Sequence, residues 1–203
     1  MTTEIDFTGS NQRMDRGQAV PALIGDHRDF LVVAGLAGTA QDMYAIEQDA
    51  DNCFLLGGAM GASVSMGIGL ALAQPDHHVL VLCGDGELLM NVGALATVMA
   101  AGVVKFSILC VDNERYGETG NQITHTSMGT DLAMTAKGLG IRHTMTVTEP
   151  GEIPAAHDAI RRPDGPTFVH LKVSDVKPPK LKSRNFNAAE RRLAFRKALL
   201  GRI

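Results

Sequence analysis

The sequence predicts an α/β protein, a three-layer sandwich whose central, mainly parallel sheet lies between two layers of helices. Two observations carry this reading. Five apolar runs, FLVV (30–33), CFLL (53–56), VLVLC (79–83), FSILCV (106–111) and TFVHLKV (167–173), have strand length but no clean two-residue alternation. Such runs belong to strands covered on both faces. Helix-like segments fall between them, GASVSMGIGLALA, ELLMNVGALATVMAAG, DLAMTAKGLG and EIPAAHDAIRR, and this alternation is that of parallel strands joined by crossover helices.

Taken in order, residues 1–14 are polar and unpatterned and read as a flexible arm. Residues 15–176 hold the strand and helix pattern and form one domain, and 177–203 are a Pro- and Lys-rich linker followed by a C-terminal helix. In the segment after GDG, Leu88, Val92, Leu95 and Met99 recur at helical spacing, so one deeply buried helix is expected over 87–100. In the last helix Leu193, Ala194, Ala198 and Leu199 are expected to face inward.

Bulk properties exclude several classes. A chain of 203 residues with 45% hydrophobic content can bury one core. A formal charge of −3 lacks the basic bias of a nucleic-acid or membrane-surface protein. Cys53, Cys83 and Cys110 lie far apart in apolar runs and read as buried thiols, without metal or disulfide spacing. No apolar run approaches the roughly 18 residues of a membrane span, and the start lacks a signal-peptide core, so a cytoplasmic protein is expected.

Polar residues gather where predicted strands end. VLVLC runs directly into GDG (84–86) and FSILCV into Asp112 and Asn113, which sets Asp85 and Asn113 at the C-terminal edge of the sheet. Open α/β sheets bind ligands there. Gly84 and Gly86 permit a tight turn and close approach of the backbone, and a helix beginning near Glu87 directs free N–H groups at the same place, which favours phosphate. A carboxylate and an amide oxygen are hard donors suited to magnesium bound together with phosphate oxygens. A magnesium-diphosphate site is the expectation, although each motif alone is also an ordinary turn.

The 25 residues between GDG and DN accommodate one helix and one returning strand. This arrangement resembles the thiamine diphosphate enzymes, whose motif pairs GDG with a downstream NN at this separation. The resemblance extends from about Gln18 to Asp175 and implies the thiamine diphosphate-binding fold, with thiamine diphosphate and Mg2+ as cofactors. It implies metal ligation by Asp85, Asn113 and the backbone carbonyl of Arg115, with Gly84, Gly86 and Glu87 beside the diphosphate. The first residue of the pair is Asp112 where the family has asparagine. GGAMGASVSMGIGLALAQPD (57–76) is similar to the glycine-rich segment in which a large apolar residue supports the bent cofactor. Met60 takes that position, and Gly58 would offer its carbonyl to the aminopyrimidine. NERYGETGNQ resembles the loop that closes over the cofactor, with Tyr116, Gly117, Glu118, Thr119 and Gln122 as pocket residues. His125 is a candidate for acting on substrate. Each loop residue also has a plainer reading as solvated, and Met60 as a core methionine.

Complete enzymes of this family place the cofactor between two domains, the second of which supplies a glutamate that activates the aminopyrimidine. The resemblance therefore implies one subunit of a split enzyme, inactive without a pyrimidine-binding alpha subunit and assembled as a hetero-oligomer with self-association. GDGELLMNVGALATV together with DNERYGETGNQ most resembles the beta-type halves of sulfopyruvate and phosphonopyruvate decarboxylases, carboxy-lyases that act on small 2-oxo acids. Near the first strand those relatives carry an arginine where this sequence has Gln41 in TAQDMY, which implies a less charged substrate. The alternatives are the beta subunit of a 2-oxoacid oxidoreductase, which usually has clustered cysteines, and a non-catalytic cofactor-binding subunit.

Overall fold

The computed structural model describes residues 13–176 and 187–201. In chain order these form α1 (Arg16–Ile24), β1 (Leu31–Ala34), α2 (Gly38–Ile46), β2 (Cys53–Leu55), α3 (Ser63–Ala73) and β3 (Val79–Gly84). Next come α4 (Asp85–Met90), α5 (Ala94–Ala101), β4 (Phe106–Asp112) and a hairpin of β5 (Arg115–Tyr116) and β6 (Gln122–Ile123). They are followed by α6 (Leu132–Gly138), β7 (His143–Val147), α7 (Ile153–Ala159), β8 (Thr167–Lys172) and α8 (Ala188–Leu200).

Six strands form one sheet in the order β2-β1-β3-β4-β8-β7, with every pairing parallel. Alternate residues of β3 show why the sequence carries no polar alternation. Val79, Val81 and Cys83 pack into the core beneath α3, α5 and α6, whereas Leu80 and Leu82 pack into the core beneath α1 and α7. Both faces are covered by apolar side chains, as a parallel sheet requires. Phe106 and Phe168 are fully buried at the centre of the first core, where truncation to alanine typically costs about 3–5 kcal/mol. The three-layer α/β sandwich is the architecture expected from the sequence.

Three local expectations need correction. The helix read over 87–100 is two helices broken at 91–93. Asn91 turns its amide outward to donate to the Gly61 carbonyl at 3.0 Å, and Gly93 follows it; neither residue favours a helix interior. Leu88 and Leu95 are buried, but Ala96, Thr97 and Ala100 are exposed on this chain. Met14, assigned to the arm, is buried and bridges to Val173, so the ordered fold begins before Asp15, which caps α1. The inward face of α8 is Arg191, Phe195 and Leu199 rather than Leu193 and Ala198: Phe195 meets Phe54 edge-on, and Arg191 donates to the carbonyls of Asp49, Ala50 and Cys53. Residues 1–12 of the arm and 177–186 of the linker lie outside the described residues. β7, α1 and α2 were not read from the sequence; β7 is an edge strand whose residues are mostly half-buried, so it lacks a continuous apolar run.

Candidate functional site

Strand order reverses between β1 and β3. From β1 the chain moves outward through α2 to β2, returns through α3 to β3, and then builds β4, β8 and β7 on the other side. A crevice must open above the C-terminal ends at such a switch point. A cavity of about 330 Å³ lies there. Its walls include the β1–α2 connection (Leu36, Ala37, Gly38), the start of α4 (Gly84, Asp85, Gly86, Glu87), and the end of β4 with the hairpin.

Among the residues singled out by sequence, Met60, Gly84, Asp85, Gly86, Glu87, Asn113, Arg115, Tyr116, Gly117, Glu118 and Thr119 all line this cavity, contributed by segments up to 59 positions apart. Gly58, Gln122 and His125 do not. Gly58 is exposed, exposed Gln122 accepts from Thr119 Oγ1 at 2.9 Å through its Oε1, and His125 is an exposed residue whose carbonyl closes a 3-10 turn. Met60 is 39% exposed on the cavity wall, which removes the core-methionine reading. Gly86 has a reason the sequence did not show: a Cβ there would sit 2.4 Å from Tyr116 Cε1, so the glycine admits the tyrosine ring.

Register places Gly84 beside Val111, which puts Asp85 and Asp112 abreast at the ends of adjacent strands. Both carboxylates are buried. Thr124 Oγ1 and Thr126 Oγ1 donate to Asp85 Oδ2, and Thr126 Oγ1 also lies 2.9 Å from Asp112 Oδ1, so one hydroxyl bridges the pair. His170 Nε2 and Lys172 Nζ, which point the same way from β8, bond to Asp112 Oδ2 at 2.6 and 2.8 Å. Lys172 also reaches Glu114 at 2.6 Å, where Arg13 joins it. Sequence reasoning missed all four of Thr124, Thr126, His170 and Lys172. The available signals were the alternating threonines of ITHTS and the polar residues at positions 170 and 172 of an otherwise apolar strand.

The two aspartates ionise differently. Burial and the neighbouring Asp112 charge push Asp85 up to about 7 against its hydrogen bonds from Thr124 and Gly86 N–H. Burial also opposes ionisation of Asp112, but the His170 bond and the Lys172 ammonium outweigh it and hold Asp112 below the usual carboxylate range. Glu87 is also nearly enclosed, 4% exposed, and burial pushes it up against the opposing polar contacts of Ser63 and of the Gly84 and Leu36 backbone. Only a glycine fits beneath it, since a Cβ at Gly35 would lie 1.7 Å from Glu87 Oε2.

The raised Asp85 value has a stability consequence with a definite sign. The unfolded chain loses this proton near 3.8 and the folded chain near 7, so the contribution is fully present below the unfolded value and is lost as pH rises through about 7. Without added ligand, the melting temperature is expected to fall by on the order of 5–10 °C between about pH 5 and pH 8. Asp85→Asn should flatten that fall; an equal fall in the variant would assign it elsewhere. Asp112 has the opposite sign, but its window lies below the ordinary carboxylate range.

Backbone strain collects at the same place. Of the four described non-glycine residues with positive φ, Ala37 (62°) and Asn121 (60°) line the cavity and Glu114 (59°) separates Asn113 from Arg115. Glu114 is held there by its own N–H on Asp112 Oδ1 at 2.8 Å and by Arg115 N–H on Asn113 Oδ1 at 3.2 Å. Such strain persists only where the surroundings over-determine it.

The fold and the cavity define a class, the cofactor-binding domain of thiamine diphosphate enzymes. Residues 36–171 match the family described as thiamine pyrophosphate enzyme, C-terminal TPP binding domain, and the chain belongs to that family. The chain is similar to the sulfopyruvate decarboxylase subunit beta of Methanothermobacter thermautotrophicus, 32% identical over 160 residues that cover 79% of this chain and 82% of that one. It is 38% identical over 111 residues to the subunit of the same name from Methanocaldococcus jannaschii, covering 55% of this chain and 58% of that one. Phosphonopyruvate decarboxylase of Streptomyces viridochromogenes is 36% identical over 146 residues, 72% of this chain but 36% of the longer relative. Among solved structures, a thiamin diphosphate-dependent enzyme from Mycobacterium smegmatis superposes with a TM-score of 0.65 at 20% identity, covering 79% of this chain and 32% of that one, and so shares the fold.

Proposed function

We propose that the chain is the beta-type subunit of a split thiamine diphosphate-dependent 2-oxoacid decarboxylase, holding the magnesium-diphosphate end of the cofactor. The observation that carries this is the convergence of Asp85 and Asn113, at the ends of adjacent β3 and β4, with Met60 on one cavity. The donor set fits Mg2+. No group of three or more His, Cys, Asp or Glu side chains able to hold a metal occurs among the described residues. One carboxylate, the Asn113 amide oxygen and the Arg115 carbonyl are hard donors that suit an ion completed by phosphate oxygens, as magnesium usually is. Asn113 Oδ1 accepts one bond, from Arg115 N–H, and an amide oxygen retains a second lone pair.

In this reading Asp85 and Asn113 orient the diphosphate, Met60 supports the cofactor rings from below, and Tyr116 with residues 117–119 covers the cavity mouth. When bound, the cofactor supplies the electron sink for loss of carbon dioxide. Two relatives are named as beta subunits, which supports a separate alpha subunit with the activating glutamate. The outward faces of α3 and α5 support further association: residues 63–73 and 94–101 contain no charged side chain, and Met66, Leu72 and the adjacent Met90 are exposed. The oxidoreductase alternative is weaker, because Cys53, Cys83 and Cys110 all point into the core. No described helix is long and apolar enough to cross a membrane.

The chain assayed alone with thiamine diphosphate, Mg2+ and a panel of 2-oxo acids is expected to release no carbon dioxide. Addition of a pyrimidine-domain subunit should restore release. Robust turnover by this chain alone would overturn the split-enzyme reading.

A further inference from the structure

Thr124 closes the base of the hairpin, with its N–H on the Glu114 carbonyl at 3.0 Å, and directly precedes the 3-10 turn His125–Met128. A threonine in that place would ordinarily turn its hydroxyl onto the free N–H groups of the turn that follows. Here it makes no such cap. The Thr124 hydroxyl is carried inward instead, onto Asp85 Oδ2, and two residues on the Thr126 hydroxyl reaches the same oxygen, while His125 between them is exposed. Thr124 is fully buried and Thr126 is 6% exposed. Their hydroxyl oxygens lie 2.9 Å apart, so the pair acts on one carboxylate oxygen as a unit. A hydroxyl carries a single proton. Thr126 Oγ1 stands 3.2 Å from Asp85 Oδ2 and 2.9 Å from Asp112 Oδ1, and can donate to only one of them at a time. Thr124 is therefore the constant donor to Asp85, and Asp85 itself lines the cavity.

We propose that Thr124, assisted by Thr126, is a positioning residue for Asp85: its hydroxyl holds Oδ2 and so fixes the carboxylate in the orientation that leaves its other oxygen to serve the metal. Outer hydrogen bonds of this kind orient metal-ligating groups and set their affinity. The same residue closes the hairpin, so the cover of the cavity and the metal carboxylate are joined at Thr124. The inference rests on the reading of Asp85 as a ligand of the Mg2+ that accompanies thiamine diphosphate.

Titration of the full chain with Mn2+ in the presence of thiamine diphosphate, followed by electron paramagnetic resonance, reads metal binding without turnover. Thr124→Val keeps the shape of the side chain and removes the hydroxyl, whereas Thr124→Ser keeps the hydroxyl and removes the methyl group. Mn2+ affinity should fall about 10- to 100-fold in Thr124→Val and stay close to native in Thr124→Ser. Thr126→Val, which removes the shared donor, should fall between them. A role in packing alone would give the reverse order, because valine fills the site and serine does not. Unchanged affinity in Thr124→Val, or an equal loss in Thr124→Val and Thr124→Ser, overturns the positioning role. Should Thr124→Val melt before it can be titrated, the other two variants decide, and a loss of about tenfold in Thr124→Ser or none in Thr126→Val is equally fatal. A native chain that binds no Mn2+ with thiamine diphosphate overturns the cofactor reading together with this one, whereas native binding with an indifferent Thr124→Val overturns the positioning role alone.

Discussion

Replacing Asp85 with alanine is expected to weaken Mg2+-dependent binding of thiamine diphosphate by at least about 100-fold, because even groups that only support a metal's ligands are commonly worth 10–100-fold. The fold should survive. In the native chain this carboxylate is 1% exposed and abreast of Asp112, which is why it ionises only near 7. Removing it relieves a buried repulsion at neutral pH, and Asp85→Asn, which leaves an acceptor for Thr124 and Thr126, should melt no lower than the native chain. Calorimetry and a melting curve on the same samples separate the two effects. Unchanged cofactor affinity in Asp85→Ala would remove the metal assignment, whereas loss of binding together with unfolding in both variants would show that Asp85 is structural.

The second large effect concerns a residue that makes no contact with the proposed metal. Lys172→Met takes one partner from Asp112, whose side chain is fully buried, and from Glu114. A stranded charge of this kind typically costs about 3–5 kcal/mol; the lower end applies because His170 still serves Asp112. The melting temperature should drop by about 6–12 °C for a chain of this size. Asp112→Asn in the same chain should recover most of that loss, since the amide has no charge to strand and can still accept from Thr126 and Glu114 N–H. The Lys172 ammonium and the His170 hydrogen bond, both from β8, let the chain hold an aspartate where related motifs have asparagine. Additive losses in the double variant would show that the ion pair does not carry the effect.

What the sequence conveyed depended on how locally each feature is encoded. Strands buried on both faces announce themselves as unbroken apolar runs, so β1, β2, β3, β4 and β8 were legible, as was the sandwich that must cover them. Edge strand β7, half exposed, carries no such signal. The break between α4 and α5 depends on Asn91 reaching the Gly61 carbonyl thirty residues away, a contact that helical periodicity in 87–100 does not encode. Site residues followed the same rule. Those at strand ends, such as Asp85 and Asn113, were visible because a polar residue that closes an apolar run marks the place where a buried strand emerges at the sheet edge. His170 and Lys172 lie within such a run and act only through register with β4, and Arg16 enters the cavity through α1–α2 packing that no motif records. Gly58, Gln122 and His125 stood near the right segments, but their local turns carry them off the cavity wall.

The bonding of Asp112 to β8 also bears on the order in which the molecule can assemble. β3 and β4 are joined through the short helices α4 and α5, whereas His170 and Lys172 stand 58 and 60 positions from the carboxylate they serve. Until that late strand docks, two aspartates are driven toward each other in a desolvated corner with nothing to compensate the second. Pairing of β4 with β8 is a long-range step of the kind that slows folding of parallel sheets. A chain released during synthesis before residue 172 would carry its ligand-binding edge half built and self-repelling, so completion of the sheet and competence to bind an anion should appear in the same kinetic phase.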